Sequence, residues 1–236
     1  MQKVLSGLRK AVEKYRLIEN GDKIAVGVSG GKDSLVLLKA LKMFQKFNLY
    51  KYELVAVVVD LYSGKGDYTN IKSFCEELEV PLVIEQTDIN EIVFNLRKEP
   101  NPCSLCAKMR RGVLNTVAIQ NGCNKIALGH HLQDVIETFF LSLLYEGKMS
   151  TMKPKSYMSK SNITLIRPLF LTHESTIASA SKNLPVQKSI CPADKNSKRQ
   201  EVEKLIKDID KLIPDAKKRI ESAILSTELY NLLDKE

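Results

Sequence analysis

Four short runs of mostly apolar residues, rich in Val, Ile and Ala, mark the first 130 positions: Lys23–Val28, Tyr52–Asp60, Leu82–Glu85 and Lys125–Gly129. None alternates apolar with polar residues in the way of a strand with one wet face, so each is expected to be covered on both sides, the habit of parallel sheets. Helix-length segments follow them in turn: Lys32–Phe47, Tyr68–Glu79, Ser104–Asn121 and His130–Tyr145. Strands and helices in regular succession predict right-handed crossovers, hence an α/β fold built on a doubly wound parallel sheet. Ile163–Leu169 reads as one more strand, and the polar, Met-bearing stretch Lys148–Asn162 before it as a surface loop or lid. From Arg199 the pattern is helical with a break at Pro214. The expected organisation is therefore a main domain, residues 1–190, with an N-terminal helix and an inserted Cys-x-x-Cys loop and helix, followed by a short C-terminal helical appendage, residues 191–236.

Composition narrows the class. With 236 residues, 44% of them apolar and 27% charged, the chain can bury a core without disulfides or metal, and it is neither disordered nor fibrous. Leu54–Val59 and Phe139–Leu144 fall far short of the ~20 apolar residues that span a bilayer, so no membrane partner is expected. The first 23 residues carry charges every few positions, unlike a secretory signal, which predicts a cytoplasmic address. There the five cysteines are expected to be thiols, ligands or catalytic groups rather than disulfides. A net charge of +8 suits either a merely basic chain or one that binds a polyanion such as RNA.

The first strand runs directly into Ser29-Gly30-Gly31-Lys32-Asp33-Ser34 and then an apolar helix. Two glycines let the backbone turn sharply and approach an anion, and the helix start points N–H groups and a positive dipole end at it. Ser29 and Ser34 can donate to phosphate oxygens, Lys32 can supply charge and Asp33 can hold a divalent ion. The spacing differs from that of the Walker A loop, so this is a different phosphate cradle, or else an ordinary turn with a Ser or Asp cap. Asp60 ends the second strand at the edge where open α/β sheets bind ligands, and either faces a ribose or adenine or caps the next helix. The fourth strand empties into Gly129-His130-His131-Leu132-Gln133-Asp134, and on a continuous helix His130 and Asp134 share one face.

Cys103 and Cys106 form a C-x-x-C in Pro102-Cys103-Ser104-Leu105-Cys106, at the expected start of a helix that continues through Lys108, Arg110 and Arg111. Cys191, in Ile190-Cys191-Pro192, is a third loop cysteine, whereas Cys75 and Cys123 read as small buried residues. Spacing alone leaves three chemistries open: an iron–sulfur cluster with one iron free of protein ligands, persulfide or disulfide exchange, or zinc completed by a histidine. The basic helix after Cys106, and Lys198-Arg199 further on, are either solvated faces or contacts for an RNA backbone. With aromatic residues at 6%, no stacking platform for a flipped base stands out.

The SGGKDS segment resembles the SGGxDS loop of the N-type ATP pyrophosphatases, the PP-loop superfamily, which adenylate a substrate and release pyrophosphate. That resemblance implies an adenine nucleotide alpha hydrolase-like sheet, with Ser29, Gly30, Gly31, Asp33 and Ser34 on the pyrophosphate and its Mg²⁺. GHHLQD resembles a GHHxxD motif of tRNA-modifying members, which implies that Gly129, His130 and Asp134 lie near the phosphates of ATP. Taken in order, SGGKDS, PCSLC with KMRRG, LGHHLQDVIETFF, LLYEGKM, IRPL and CPADKNSKRQ resemble the tRNA 2-thiocytidine synthetase family, TtcA, over about residues 5–200.

The resemblance implies a 4Fe-4S cluster on Cys103, Cys106 and Cys191, and thiolation of C2 of a cytidine in the anticodon loop of tRNA. Its sulfur would come from a cysteine desulfurase or sulfide. Asp33, Asp134 and the three cysteines would be catalytic, and Lys108, Arg110, Arg111, Lys198 and Arg199 would contact RNA. Related 2-thiouridine enzymes carry zinc-binding C-x-x-C pairs at both ends, which this chain lacks; its DLYSGKGDYTN segment departs from bacterial TtcA proteins. Thiouridine synthesis, persulfide thiolation without a cluster, a lysidine-type or amidating ligase and a redox-sensing nucleotide module are the competing readings. Whether the chain forms a homodimer is left open.

Overall fold

β1 (Asp22–Gly27), β2 (Tyr52–Asp60), β3 (Leu82–Gln86), β4 (Lys125–Ala127), β5 (Lys155–Met158) and β6 (Ile163–Ile166) form one sheet in the order β3-β2-β1-β4-β6-β5. Every pairing is parallel except that of β5 with β6. The helices are α1 (Gln2–Tyr15), α2 (Lys32–Gln45), α3 (Thr69–Glu77), α4 (Pro102–Gln120), α5 (Leu132–Glu146), α6 (Glu174–Ala180), α7 (Lys198–Leu212) and α8 (Ala216–Leu225), with a π-helical turn at Glu91–Leu96. The computed structural model describes residues 1–47, 49–97, 102–187 and 198–226. Among them no helix is long and apolar enough to cross a membrane.

β1, β2 and β4 are apolar because both of their faces are buried, whereas β3, expected to be covered as well, lies at the edge of the sheet with Ile84 39% exposed. Ile24, Val26, Leu54, Ala56 and Val58 point into a core completed by α1, α2, α3 and α6; Ala25, Val55 and Val57 point the other way, onto Leu114, Val117 and Ala118 of α4. α1 reaches that first core through a stripe at helical spacing, Val4, Leu8, Ala11 and Val12, and ends where Arg16 turns left-handed at φ 49°. Strand order reverses between β1 and β4, so their C-terminal ends flank the crevice where such sheets hold ligands.

Packing divides the chain into two units: Met1–His131 with Lys153–Ala193, and Leu132–Met152 with Asp194–Glu236. The sequence boundary at residue 190 keeps α5 with the nucleotide loop; by packing, α5 goes with α7 and α8. Within that second unit, Leu132 and Ile136 of α5 meet Val202 and Ile206 of α7, with Phe140, Ile220 and Ile224 alongside. Pro214 and Asp215, the latter at φ 63°, turn α7 into α8.

Two boundaries move. Part of the stretch read as a loop or lid is β5, an edge strand whose Tyr157 is 64% exposed; a strand so little buried has no apolar run to betray it. α5 begins at Leu132, so His130 lies before the helix and the expected i, i+4 relation with Asp134 does not arise.

At the start of β4, Lys125 is 3% exposed and its ammonium meets Asp22 Oδ2 at 2.7 Å, Glu19 Oε2 at 3.1 Å and the Leu17 carbonyl at 3.1 Å. Removing one member leaves the other charge buried without its partner. Lys125→Met is expected to cost about 3–5 kcal/mol in urea unfolding, and the pair Asp22→Asn with Lys125→Met to lose less than the single substitution.

Candidate active site

Val28 leaves β1 and the chain turns through Ser29–Gly31 into α2. Gly30 takes φ 80°, which an L side chain rarely adopts, and Gly31 is the N-cap residue of α2 with no side-chain cap bond. The ordinary-turn alternative required a Ser or Asp cap, and none is made. The positive end of α2 is thus left for an anion. The hydroxyls hold the loop itself: Ser34 Oγ donates to the Gly31 carbonyl at 2.9 Å and accepts from Ser29 N–H at 3.1 Å, while Ser29 Oγ lies 3.3 Å from Ser34 Oγ.

Lys32 Nζ stands between two carboxylates, 3.3 Å from Asp33 Oδ1 and 3.1 Å from Glu174 Oε1. Burial works to lower the Lys32 pKa, but Asp33 and Glu174 outweigh it and hold the ammonium above its ordinary value. Asp33 Oδ1 is buried and accepts no hydrogen bond among the described residues, although Lys32 Nζ pairs with it at 3.3 Å and His131 Nε2 lies 3.6 Å away. A hard carboxylate oxygen that takes no hydrogen bond among the described residues, beside an uncapped helix start, fits a magnesium ion accompanying phosphates.

Gly129, after β4, packs directly on this loop: a Cβ there would lie 2.9 Å from Asp33 C and 3.0 Å from its carbonyl oxygen. His130 Nδ1 accepts from Arg167 Nε at 3.2 Å, and Arg167 also donates to the Lys153 carbonyl at 2.6 Å. Gln187 bridges two loops, its N–H on the Gly30 carbonyl at 3.0 Å and its side-chain amide on the Asp67 carbonyl at 2.8 Å. Sequence reasoning passed over Arg167, Glu174 and Gln187. Only Arg167 carried a signal, as the residue that follows β6 at the ligand edge of the sheet.

Asp60 does not cap the next helix, since α3 starts after Tyr68 without a side-chain cap bond. It is fully buried, Oδ1 accepting from Tyr62 N–H at 3.0 Å and Tyr68 O–H at 2.8 Å, and Oδ2 from Gly64 N–H at 2.6 Å. Its carboxylate shapes the loop after β2. Burial, aided by Asp60, pushes the Tyr68 phenol well up, and the positive charge of Arg110 opposes this.

Cys103 and Cys106 lie in the first turns of α4, the former exposed and the latter half-buried. Helical spacing puts Cys103, Cys106 and Arg110 along one side and Lys108 with Arg111 along another, so the basic trio is split between two faces. Among the described residues no three His, Cys, Asp or Glu side chains converge to hold a metal; Cys191 lies outside the described residues. Cys75 and Cys123 are buried as expected, and burial pushes the Cys75 thiol up to about 11.

In the second unit Arg199 is committed: its Nη1 meets Asp134 Oδ1 at 3.0 Å and Glu137 Oε2 at 2.9 Å. Burial raises the Glu137 pKa, even though Gln133 and Arg199 favour the charged form. Lys198 lies over the Tyr145 ring, 4.5 Å from its centre. Lys198 and Arg199, expected as RNA contacts, thus each have a partner within the unit, and Asp134 serves there as a partner of Arg199.

A PP-loop domain model, ATP_bind_3, matches residues 2–189. The tRNA-cytidine(32) 2-sulfurtransferase of Geobacter metallireducens is 35% identical over all of this chain and 93% of its own length. That of Syntrophotalea carbinolica is 38% identical over 95% and 89%. The chain belongs to the TtcA family of PP-loop proteins. Among solved structures, the U34-tRNA thiolase NcsA from Methanococcus maripaludis with its [4Fe-4S] cluster superposes with a TM-score of 0.75 at 27% identity, covering 99% of this chain and 80% of that one. The NH3-dependent NAD synthetase of Campylobacter jejuni, at TM-score 0.51 and 14% identity over 100% and 97%, shares the fold.

Because the Gly129 neighbour is backbone, which cannot swing aside, Gly129→Ala is expected to cost about 1–3 kcal/mol in urea unfolding. A cost below about 0.5 kcal/mol would show that the two loops are not in hard contact.

Proposed function

We propose that this TtcA-family protein is an ATP-dependent tRNA thiolase that replaces the C2 oxygen of a cytidine in the anticodon loop with sulfur. The observation that carries the reading is the uncapped start of α2 at SGGKDS, with Asp33 Oδ1 buried beside it and taking no hydrogen bond among the described residues. The relatives supply the substrate: the two aligned proteins are tRNA-cytidine(32) 2-sulfurtransferases.

An amide-like C2 oxygen is a poor leaving group and must be activated. In the proposed reaction that oxygen attacks the α-phosphorus of ATP; the new O–P bond forms as the bond to pyrophosphate breaks. The α2 amides and Lys32 meet the charge that collects on the departing pyrophosphate. Asp33 is the residue to hold Mg²⁺, which neutralises phosphate charge when bound. Sulfide then adds at C2, and AMP leaves with the original oxygen, so no net oxidation occurs.

Cys103 and Cys106 offer two soft thiolates one turn apart, a fit for iron–sulfur ligation. With Cys191 as third ligand, these thiolates would hold a 4Fe-4S cluster, which would supply a site for sulfide. Sulfide itself or a cysteine desulfurase would be the donor, and Arg110, on the cysteine side of α4, is the first candidate for an anticodon-loop phosphate.

The test is nucleoside mass spectrometry of tRNA from cells lacking the gene, complemented by variants. Loss of 2-thiocytidine, restored by the unaltered gene but not by Asp33→Asn or Cys106→Ser, is the expected result. With purified protein and tRNA, Asp33→Asn should slow pyrophosphate release at least about a hundred-fold. Loss of a thiouridine instead would move the protein to the uridine reaction, and full activity in a colourless, iron-free preparation would replace the cluster by a persulfide.

A further inference from the structure

Lys32 opens α2 and brings an ammonium to the nucleotide loop, yet in this structure its nitrogen is already engaged by Asp33 and by Glu174. The two partners differ. Asp33 belongs to the loop and has a buried oxygen suited to a metal ion. Glu174 comes from α6, whose hold on the core runs through the fully buried Ile177, and its side chain stays 46% exposed. A carboxylate so placed contributes little to the fold, but it stands where a phosphate needing Lys32 would compete for the same ammonium.

We propose that Glu174 is a positioning residue, the resting counter-ion of Lys32, which yields the ammonium to the pyrophosphate end of ATP and takes it back as pyrophosphate leaves. The proposal rests on the adenylating reading above. Several phosphate charges outcompete one carboxylate for the ammonium, so Lys32 transfers on binding; the waiting carboxylate lowers the cost of letting pyrophosphate go. Glu174 thereby trades ground-state affinity for product release. Because the competition is local to Lys32, a nucleotide without β- and γ-phosphates should not feel it.

The experiment is calorimetric titration of the full chain with Mg²⁺ and, separately, pyrophosphate, ATP and AMP, for the unaltered protein, Glu174→Gln, Lys32→Met and the double variant, each checked for an unchanged melting transition. Glu174→Gln should tighten pyrophosphate and ATP about two- to five-fold, the range of a half-exposed ion pair, and leave AMP unchanged. The gain should shrink as salt is raised and vanish in the Lys32→Met background, and pyrophosphate should become a correspondingly stronger product inhibitor. Equal tightening of AMP, persistence of the gain without Lys32, or no gain at all would overturn the proposal while leaving the nucleotide reading intact. Failure of the unaltered protein to bind either ATP or pyrophosphate would overturn both.

Discussion

The amino end of α2 carries a partial positive charge whose backbone N–H groups receive no side-chain cap bond, and the structure around it is arranged to keep it so. A glycine occupies the cap position, a second glycine takes a left-handed turn before it, and the two serine hydroxyls are spent on the shape of the loop. Gly129 approaches so closely that a methyl group would collide with the Asp33 backbone. An anion is the natural occupant of such a place, and the parallel sheet delivers it at the crevice between β1 and β4.

Charge around that point is graded rather than simply positive. Asp33 and Glu174 offset Lys32, and His131 stands beside Asp33. In the second unit Arg199 is balanced by Asp134 and Glu137 in the same manner. An excess of +8 over the chain therefore does not translate into free cations at every Lys or Arg; along α4, Lys108, Arg110 and Arg111 remain exposed.

Much of the architecture was legible because it is local. The nine residues of β2 announce a strand buried on both faces, and SGGKDS pairs backbone freedom with phosphate-binding side chains in six positions. C-x-x-C likewise marked the first turns of α4. What escaped was of another kind. Glu174, Arg167 and Gln187 act through partners far along the chain, and no pattern within a short window encodes such a meeting. Asp60 was visible as a carboxylate at the ligand edge, but only the folded loop shows Tyr62, Gly64 and Tyr68 claiming its oxygens. β5 was missed because an edge strand with a wet face needs no apolar run. Arg199 looked like a free cation because its acidic partners lie on another helix.

The bond between Gln187 and Gly30 has a consequence for how the protein is made. The nucleotide loop sits near the beginning of the polypeptide, and the amide that fixes its carbonyl is added only when most of the chain has left the ribosome. That one hydrogen bond on the loop can therefore form only after residue 187 has been added.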